Sequence, residues 1–392
     1  MTEFRRVTGY AFADNETDPA SNESALVAPE WSTCAFVDGR LASTFAAYPF
    51  RLRFDGETAD AAGVTAVATL PHHRRKGLLR ATMTRSFEEQ RERGQSLAVL
   101  WASYGAIYQR FGYGPATNYV GYEFDPRWAG LHPGIESEGR IEVTTDWEAE
   151  LPTLKQTYRE HAAPRNLMLH RAEPMWRFGV CRAFDPKHRT HVAVYRNRED
   201  RVTGHLVYQL EASDKPMPNQ KLVVVDRVAM DRDAEVGLWR FILSHDLVEK
   251  VEMGPVAEDD PMPLLVENPS KLGRRVGEGL FLRVVDVERA LAARPYRDAG
   301  RMVVEIPSDP DCPWNTGAFT VEADGDERRV TRGAAAPDLA LPPRSLASLL
   351  AGHSSATPLA RAGLLDARDD ATLRRADRMF ATGYRPFCSN GF

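Results

Sequence analysis

Arg74-Arg75-Lys76-Gly77 is the stretch of this chain whose residue types and order point most directly to chemistry. It follows Val67-Ala68-Thr69-Leu70-Pro71-His72-His73 and leads into Leu78-Leu79-Arg80. The order reads as a buried apolar strand, a tight basic turn and a helix. The first backbone N–H groups of a helix have no intrahelical partner, and its dipole is positive there. With three cations beside them, such groups form a seat for phosphate oxygens. Gly77 lacks a Cβ, so an anion can approach the backbone. A solvated basic helix start would show the same residues, so the segment downstream has to decide between the two.

That segment keeps to the plan. Leu78 to Arg93 carries apolar residues at Leu78, Leu79, Met83 and Phe87, with Gly94 just beyond, which predicts an amphipathic helix with a glycine stop. Leu97-Ala98-Val99-Leu100-Trp101 predicts a short buried strand. Ser103 is placed to cap a short helix, and Gly112 to end it. Arg74-x-x-Gly77 after a strand resembles the pyrophosphate motif of the GNAT acyltransferases, which hold acetyl-CoA. The strings HRRKGLLRATM (73–83) and ASYGAIYQRFGYGPAT (102–117) are similar to the Eis (enhanced intracellular survival) family of acetyltransferases. Leu79 stands where GNAT proteins at large often carry Gly or Ala, a departure that the Eis-like pattern tolerates.

The resemblance implies an α+β chain with two GNAT-like domains in tandem, the second degenerate, and a C-terminal sterol-carrier-protein-like domain. The boundaries expected are 1–135 for the catalytic domain, 136–296 for the degenerate one, and 297–392 for the last, which ends in the active site. Acetyl-CoA is the implied co-substrate. Its pantetheine would lie between splayed strands, against the backbone of Val67, Ala68 and Thr69. The rest of the cofactor set is Arg74, Arg75, Lys76, Gly77, Leu78, Leu79, Arg80, Ser103 and Tyr104.

Acetyl transfer from a thioester to an amine needs a neutral amine, an acid for the departing thiolate, and geometry. Tyr108, on the helix after the second strand, is the expected acid by resemblance. Tyr113 competes but matches a packing position. The expected base, also by resemblance, is the terminal carboxylate of Phe392. Such a carboxylate has a pKa of roughly 3.5 and is a weak base unless desolvated. The aromatic tail Tyr384 to Phe392 is expected to be buried. Gly391 at the penultimate position lacks the carboxylate that an acidic residue would add for a cationic acceptor.

The remaining elements must position these groups. The sequence enters its first helix almost at once, so either the start is trimmed or another segment covers the edge of the first sheet. Asp38-Gly39 between apolar runs predicts a hairpin of Trp31–Asp38 with Arg40–Phe54. Its aromatics, Trp31, Phe36, Phe45, Tyr48, Phe50 and Phe54, are mostly core candidates, with a few available to an acceptor pocket. In the middle third, Leu151–Ala163 predicts a helix and Thr190–Arg196 with Thr203–Leu210 a hairpin. Leu222–Met230 followed by Ala234–His245 repeats the strand–turn–helix order. There Asp231-Arg232-Asp233 replaces the basic glycine turn, and two carboxylates are electrostatically wrong for a pyrophosphate. Glu258-Asp259-Asp260 reads as a solvated acidic loop, and His72 and His73 as solvated turn residues. Towards the end, Arg301–Ile306 and Ala318–Glu322 predict strands, and Pro343–Ala351 and Thr357–Gly363 helices.

Composition bounds the rest. With 392 residues, 43% hydrophobic and 27% charged, the chain reads as a soluble protein of two or three domains. A net charge of −5 speaks against a general nucleic-acid binder. The scattered Cys34, Cys181, Cys312 and Cys388 suggest free thiols in the cytoplasm, with neither a disulfide framework nor a metal site. No apolar segment is long enough for a membrane span. The reading is an amine N-acetyltransferase for a small cationic acceptor such as an aminoglycoside, assembled as a homo-oligomer, a hexamer by resemblance. A protein or peptide lysine is the alternative acceptor. A non-catalytic acetyl-CoA or lipid binder is the alternative class.

Overall fold

The computed structural model describes residues 2–13, 27–182, 189–214 and 216–392. Their contacts divide into two compact units. The first holds the described residues up to Thr117, Gly279–Pro386 and Phe392; the second holds Asn118–Glu278 and Phe387–Gly391.

The first unit opens with α1 (Thr2–Phe12), then β1 (Ser32–Val37) and β2 (Arg40–Phe54). The turn between these strands puts Asp38 at φ 51° and Gly39 at φ 72°, the paired positive φ values of a tight hairpin. Asp55-Gly56 repeats the device at φ 52° and 100° and turns β2 into β3 (Glu57–Thr69). α2 (Leu78–Glu92), β4 (Leu97–Trp101), α3 (Gly105–Gln109) and β5 (Gly114–Pro115) follow. β1 is the sheet edge, in the order β1-β2-β3-β4, and the sheet continues with a strand from far downstream. Met83 and Phe87 of α2 are fully buried against it; burying each contributes about 1.5–3 kcal/mol.

The second unit is a seven-stranded sheet among the described residues. Its strands are β6 (Asn118–Phe124), β7 (Arg140–Thr144), β8 (Thr190–Arg196), β9 (Val202–Ala212), β10 (Gln220–Ala229), β11 (Val248–Val256) and β12 (Arg275–Glu278). Its helices are α4 (Trp147–Ala162), α5 (Arg232–Leu243) and the short α6 (Met262–Leu265). α5 buries Leu238, Trp239 and Ile242 against one set of sheet side chains. α4 buries Leu151, Leu154 and Tyr158 in a separate cluster. The acidic run at 258–260 is not simply solvated. The Asp260 carboxylate pairs with Arg227, accepts from the Tyr122 hydroxyl at 3.1 Å and caps the Met262 amide at 3.1 Å. A buried guanidinium needs a carboxylate partner, and Asp260 supplies it.

The chain then returns to the first unit. β13 (Leu280–Val284) runs antiparallel to β4, Leu280 facing Trp101 and Val284 facing Leu97, and also pairs with β5. After α7 (Val287–Ala293) comes a five-stranded sheet. It comprises β14 (Gly300–Ile306), β15 (Gly317–Asp324), β16 (Glu327–Gly333), β17 (Leu339–Ala340) and β18 (Asp366–Ala367). α8 (Pro343–Ala351), α9 (Ala356–Arg361) and α10 (Asp370–Met379) complete the unit. No described helix is long and apolar enough to cross a membrane.

Candidate active site

The site begins as a fork in the first sheet. β3 and β4 are parallel partners only at Ala61–Gly63 against Leu97–Val99. Beyond Gly63 β3 runs on to Thr69, held among the described residues by β2 alone. A bulge interrupts that pairing, and within it Ala66 takes φ 51°, a costly conformation for a residue with a Cβ. Two hydroxyls of β2 hold the segment there. Thr44 Oγ1 donates to the Ala66 carbonyl at 2.8 Å, and Ser43 Oγ donates to the Ala68 carbonyl at 2.9 Å. Val67, Ala68 and Thr69 therefore lie past the fork, on a strand whose second edge has no ladder partner among the described residues.

From Thr69 the chain makes a single tight turn, Pro71–His73, and reaches α2 through Arg75 at φ 61° and Gly77 at φ 82°. Gly77 is the cap residue of α2. It offers no side-chain cap, and the first turn of the helix contains no acidic residue. The space where a Gly77 Cβ would stand is open; its left-handed φ is what demands glycine. The amides of Leu78, Leu79 and Arg80 are thus the uncapped donors of the helix. Around them Arg74, Arg75, Lys76 and Gly77 are exposed. Arg74 Nε donates to the Thr69 carbonyl at 3.2 Å. Among the described residues no carboxylate pairs with Arg74, Arg75 or Lys76, whereas Arg80 is committed: its guanidinium pairs with the buried Asp311 and lies 5.1 Å from the Phe111 ring centre.

α3 brings Tyr108 to the same place. Gly105 is required at its start, because a Cβ there would sit 2.7 Å from the Phe281 ring. Ser103 is exposed and is not the cap; Tyr104 holds that position without a side-chain bond, and its own ring is exposed. Such a short helix is held by its packing. Gly112, at φ 82°, ends the passage as expected. The Tyr108 ring stands edge-on to Tyr113, centres 5.8 Å apart. Tyr108 is half-buried, and burial raises its pKa from the ordinary 10.0. Tyr113 is fully buried, with no partner for its hydroxyl among the described residues. Burial raises its pKa much further, against the opposing charge of Arg283. Val67, Leu79 and Tyr108, from three different elements, all pack on the edge of one buried cluster built around Phe45, Met83, Leu100 and Phe281. Leu79 is accommodated there as an apolar contact.

Phe392 also belongs to this unit. Its ring meets Phe50 of β2 edge-on at 4.8 Å. The Phe50 ring in turn covers Gly63, where a Cβ would collide with it, and Gly63 is the last paired residue before the fork. The tail is buried only in part, against the expectation: Pro386, Phe387, Cys388 and Asn390 are enclosed, Ser389 and Phe392 are half-buried, and Tyr384, Arg385 and Gly391 are exposed. Two contributors escaped the sequence reading. Ser43 and Thr44 look like ordinary strand residues, and only the ladder reveals the bulge that they secure.

The strand–turn–helix of the second unit differs where it matters. Asp231 caps α5, accepting from the Ala234 amide at 2.8 Å. Asp233 accepts from the Tyr195 hydroxyl and from the Glu138 amide. Carboxylates occupy the anion-binding end of this helix, so it offers a phosphate nothing.

A sheet forked beside an uncapped, basic helix start defines the GNAT class of acyltransferases, and comparison with known proteins agrees. The acetyltransferase (GNAT) domain matches residues 1–116 and, in a second form, 167–284; the sterol carrier protein domain matches 287–389. An uncharacterized N-acetyltransferase of Streptomyces avermitilis is 30% identical, over 96% of this chain and 92% of its own. The N-acetyltransferase Eis of Mycobacterium tuberculosis is 29% identical, over 93% and 92%. The crystal structure of Eis1 from Mycobacterium abscessus superposes with a TM-score of 0.84 at 30% identity, covering 100% of this chain and 96% of that one. The chain belongs to the Eis family of GNAT N-acetyltransferases, and the fold implies acetyl-CoA as co-substrate.

Proposed function

We propose that this enzyme acetylates primary amines of small polycationic acceptors such as aminoglycosides, with Tyr108 as general acid and the Phe392 carboxylate as base. The pyrophosphate of acetyl-CoA sits on the amides of Leu78–Arg80, beside Arg74, Arg75 and Lys76. The pantetheine runs along Val67–Thr69. The amine nitrogen attacks the thioester carbon, the C–S bond breaks, and the Tyr108 hydroxyl gives its proton to the departing thiolate. The ammonium proton passes to the Phe392 carboxylate. The observation that carries this reading is convergence: Val67, Leu79 and Tyr108 share one cluster, and Phe392 meets edge-on the ring that covers Gly63 at the fork.

The test is release of free CoA thiol from acetyl-CoA with kanamycin, neomycin or a lysine peptide, for the parent and for a chain extended beyond Phe392. Turnover with the aminoglycosides that the extension abolishes is the expected result. Turnover that survives the extension removes the carboxylate from the mechanism. A lysine peptide as the better acceptor moves the substrate class to protein amines. The hexamer implied by the family belongs to the same proposal and is checked by sedimentation.

A further inference from the structure

The second unit holds a buried cation with more donors than its partner carboxylate uses. The Arg171 guanidinium is 1% exposed and pairs with Asp226 through both ends, at 2.8 and 2.7 Å. It lies 3.7 Å from the centre of the Tyr158 ring and 4.6 Å from that of Trp176. Asp226 is further fixed by His205 Nε2 at 3.3 Å, and His205 Nδ1 meets Thr157 Oγ1 at 2.6 Å. Burial pushes the Asp226 pKa up, but the charge and hydrogen bonds of Arg171, together with those of His205, outweigh it and hold the carboxylate well below its usual range. Two Arg171 donors point at the tail. Nε donates to Asn390 Oδ1 at 3.2 Å, and Nη2 donates to Ser389 Oγ at 2.9 Å. The Tyr158 hydroxyl, 2.8 Å from the Leu169 carbonyl, is 3.4 Å from the same Asn390 oxygen. The Phe387 amide donates to the Asn166 carbonyl at 3.0 Å.

A chain end is ordinarily frayed. Here it is gripped by charge-assisted bonds from a guanidinium that packing and Asp226 already hold rigid, which makes the grip directional. We propose that Arg171 is a positioning residue: with Asp226 it clamps Ser389 and Asn390, so that Phe392, two residues on, is presented as an ordered carboxylate. The clamp rests on the reading of Phe392 as the base and deepens it.

The decisive variant is Ser389→Ala with Asn390→Ala, which leaves the Arg171–Asp226 pair and hence the core intact. Two readouts are taken on the full-length enzyme: the rate at which carboxypeptidase releases Phe392, and steady-state CoA release. Losing bonds to a charged group should raise the open-tail population about tenfold to hundredfold. Phe392 release should rise, and kcat fall, by a similar factor, with the KM for acetyl-CoA within about twofold. Asn390→Asp, which keeps an acceptor oxygen, should restore both when added back to the Ser389→Ala background. Parent-like release and kcat in the double variant overturn the clamp. An extension beyond Phe392 that leaves turnover intact overturns the carboxylate's role instead. The clamp is then judged by Phe392 release alone: faster release in the variant upholds it, and unchanged release overturns it.

Discussion

The chain contains the strand–turn–helix passage twice, as β3 into α2 and as β10 into α5, and the two ends differ in what they do with the first amides of the helix. At α5, Asp231 caps the helix and Asp233 and Glu235 line its first turn, so dipole and donors are satisfied internally. At α2, Gly77 supplies no cap and no acid follows, while Arg74, Arg75 and Lys76 stand without carboxylate partners among the described residues. A missing cap costs about 1 kcal/mol, which a bound phosphate offsets. One backbone plan therefore serves either stability or anion binding, and the turn chemistry selects which. The proposed general acid follows the same division. β4 leads into α3 and Tyr108, whereas β11 leads into α6, whose residues Met-Pro-Leu-Leu carry no acid or base.

The sharpest way to break this contrast is at Tyr108. Tyr108→Phe keeps the ring against Tyr113 and removes the proton, so kcat should fall about 10²- to 10⁴-fold with acetyl-CoA binding retained. Tyr113→Phe removes a hydroxyl that has no partner among the described residues, and should leave turnover near the parent's; a comparable loss there would exchange the two roles. Next in size is Gly77→Asp, which gives α2 the kind of carboxylate that α5 has, at a φ that disfavours it. The KM for acetyl-CoA should rise at least about tenfold. The converse change, Asp231→Ala, should cost α5 about 0.5–2 kcal/mol, read in a denaturant melt, and leave acetyl-CoA affinity unchanged. The smallest effect is in pH. Because burial raises the Tyr108 pKa above its ordinary 10.0, its phenol is still mostly protonated as the pH approaches 10. The alkaline fall in kcat should therefore lie above pH 10, and a fall centred near pH 8 would assign the acid elsewhere.

The fork's outer half, the basic turn and α2 were legible because each is a local pattern: an apolar run, a glycine that needs positive φ, and a helical period. The tail was legible only in part: Phe387 is buried, as an apolar end favours, whereas Tyr384 stays exposed. Other parts were not. Glu57–Val64, the inner half of β3, is rich in Ala and Gly, which carry little strand signal; the Asp55-Gly56 turn before it is the clue that identifies it. β13 is a readable apolar run, but nothing local says that it pairs with β4 far upstream. Within it Arg283 is fully buried and bonds both Asp309 carboxylate oxygens at 2.6 Å, a pairing fixed only by tertiary contact. Arg171 and Asp226 were hidden for the same reason. Ser103 suited a cap by residue type, but the helix begins one residue later, with Tyr104 at its boundary.

The central claim is that only the uncapped turn holds acetyl-CoA. Calorimetric titration of CoA into the parent, Gly77→Asp and Asp231→Ala chains tests it directly. The account predicts one site per chain in the parent, at least about tenfold weaker in Gly77→Asp and unchanged in Asp231→Ala. Two sites per chain, or a site that weakens with Asp231→Ala and survives Gly77→Asp, would contradict it.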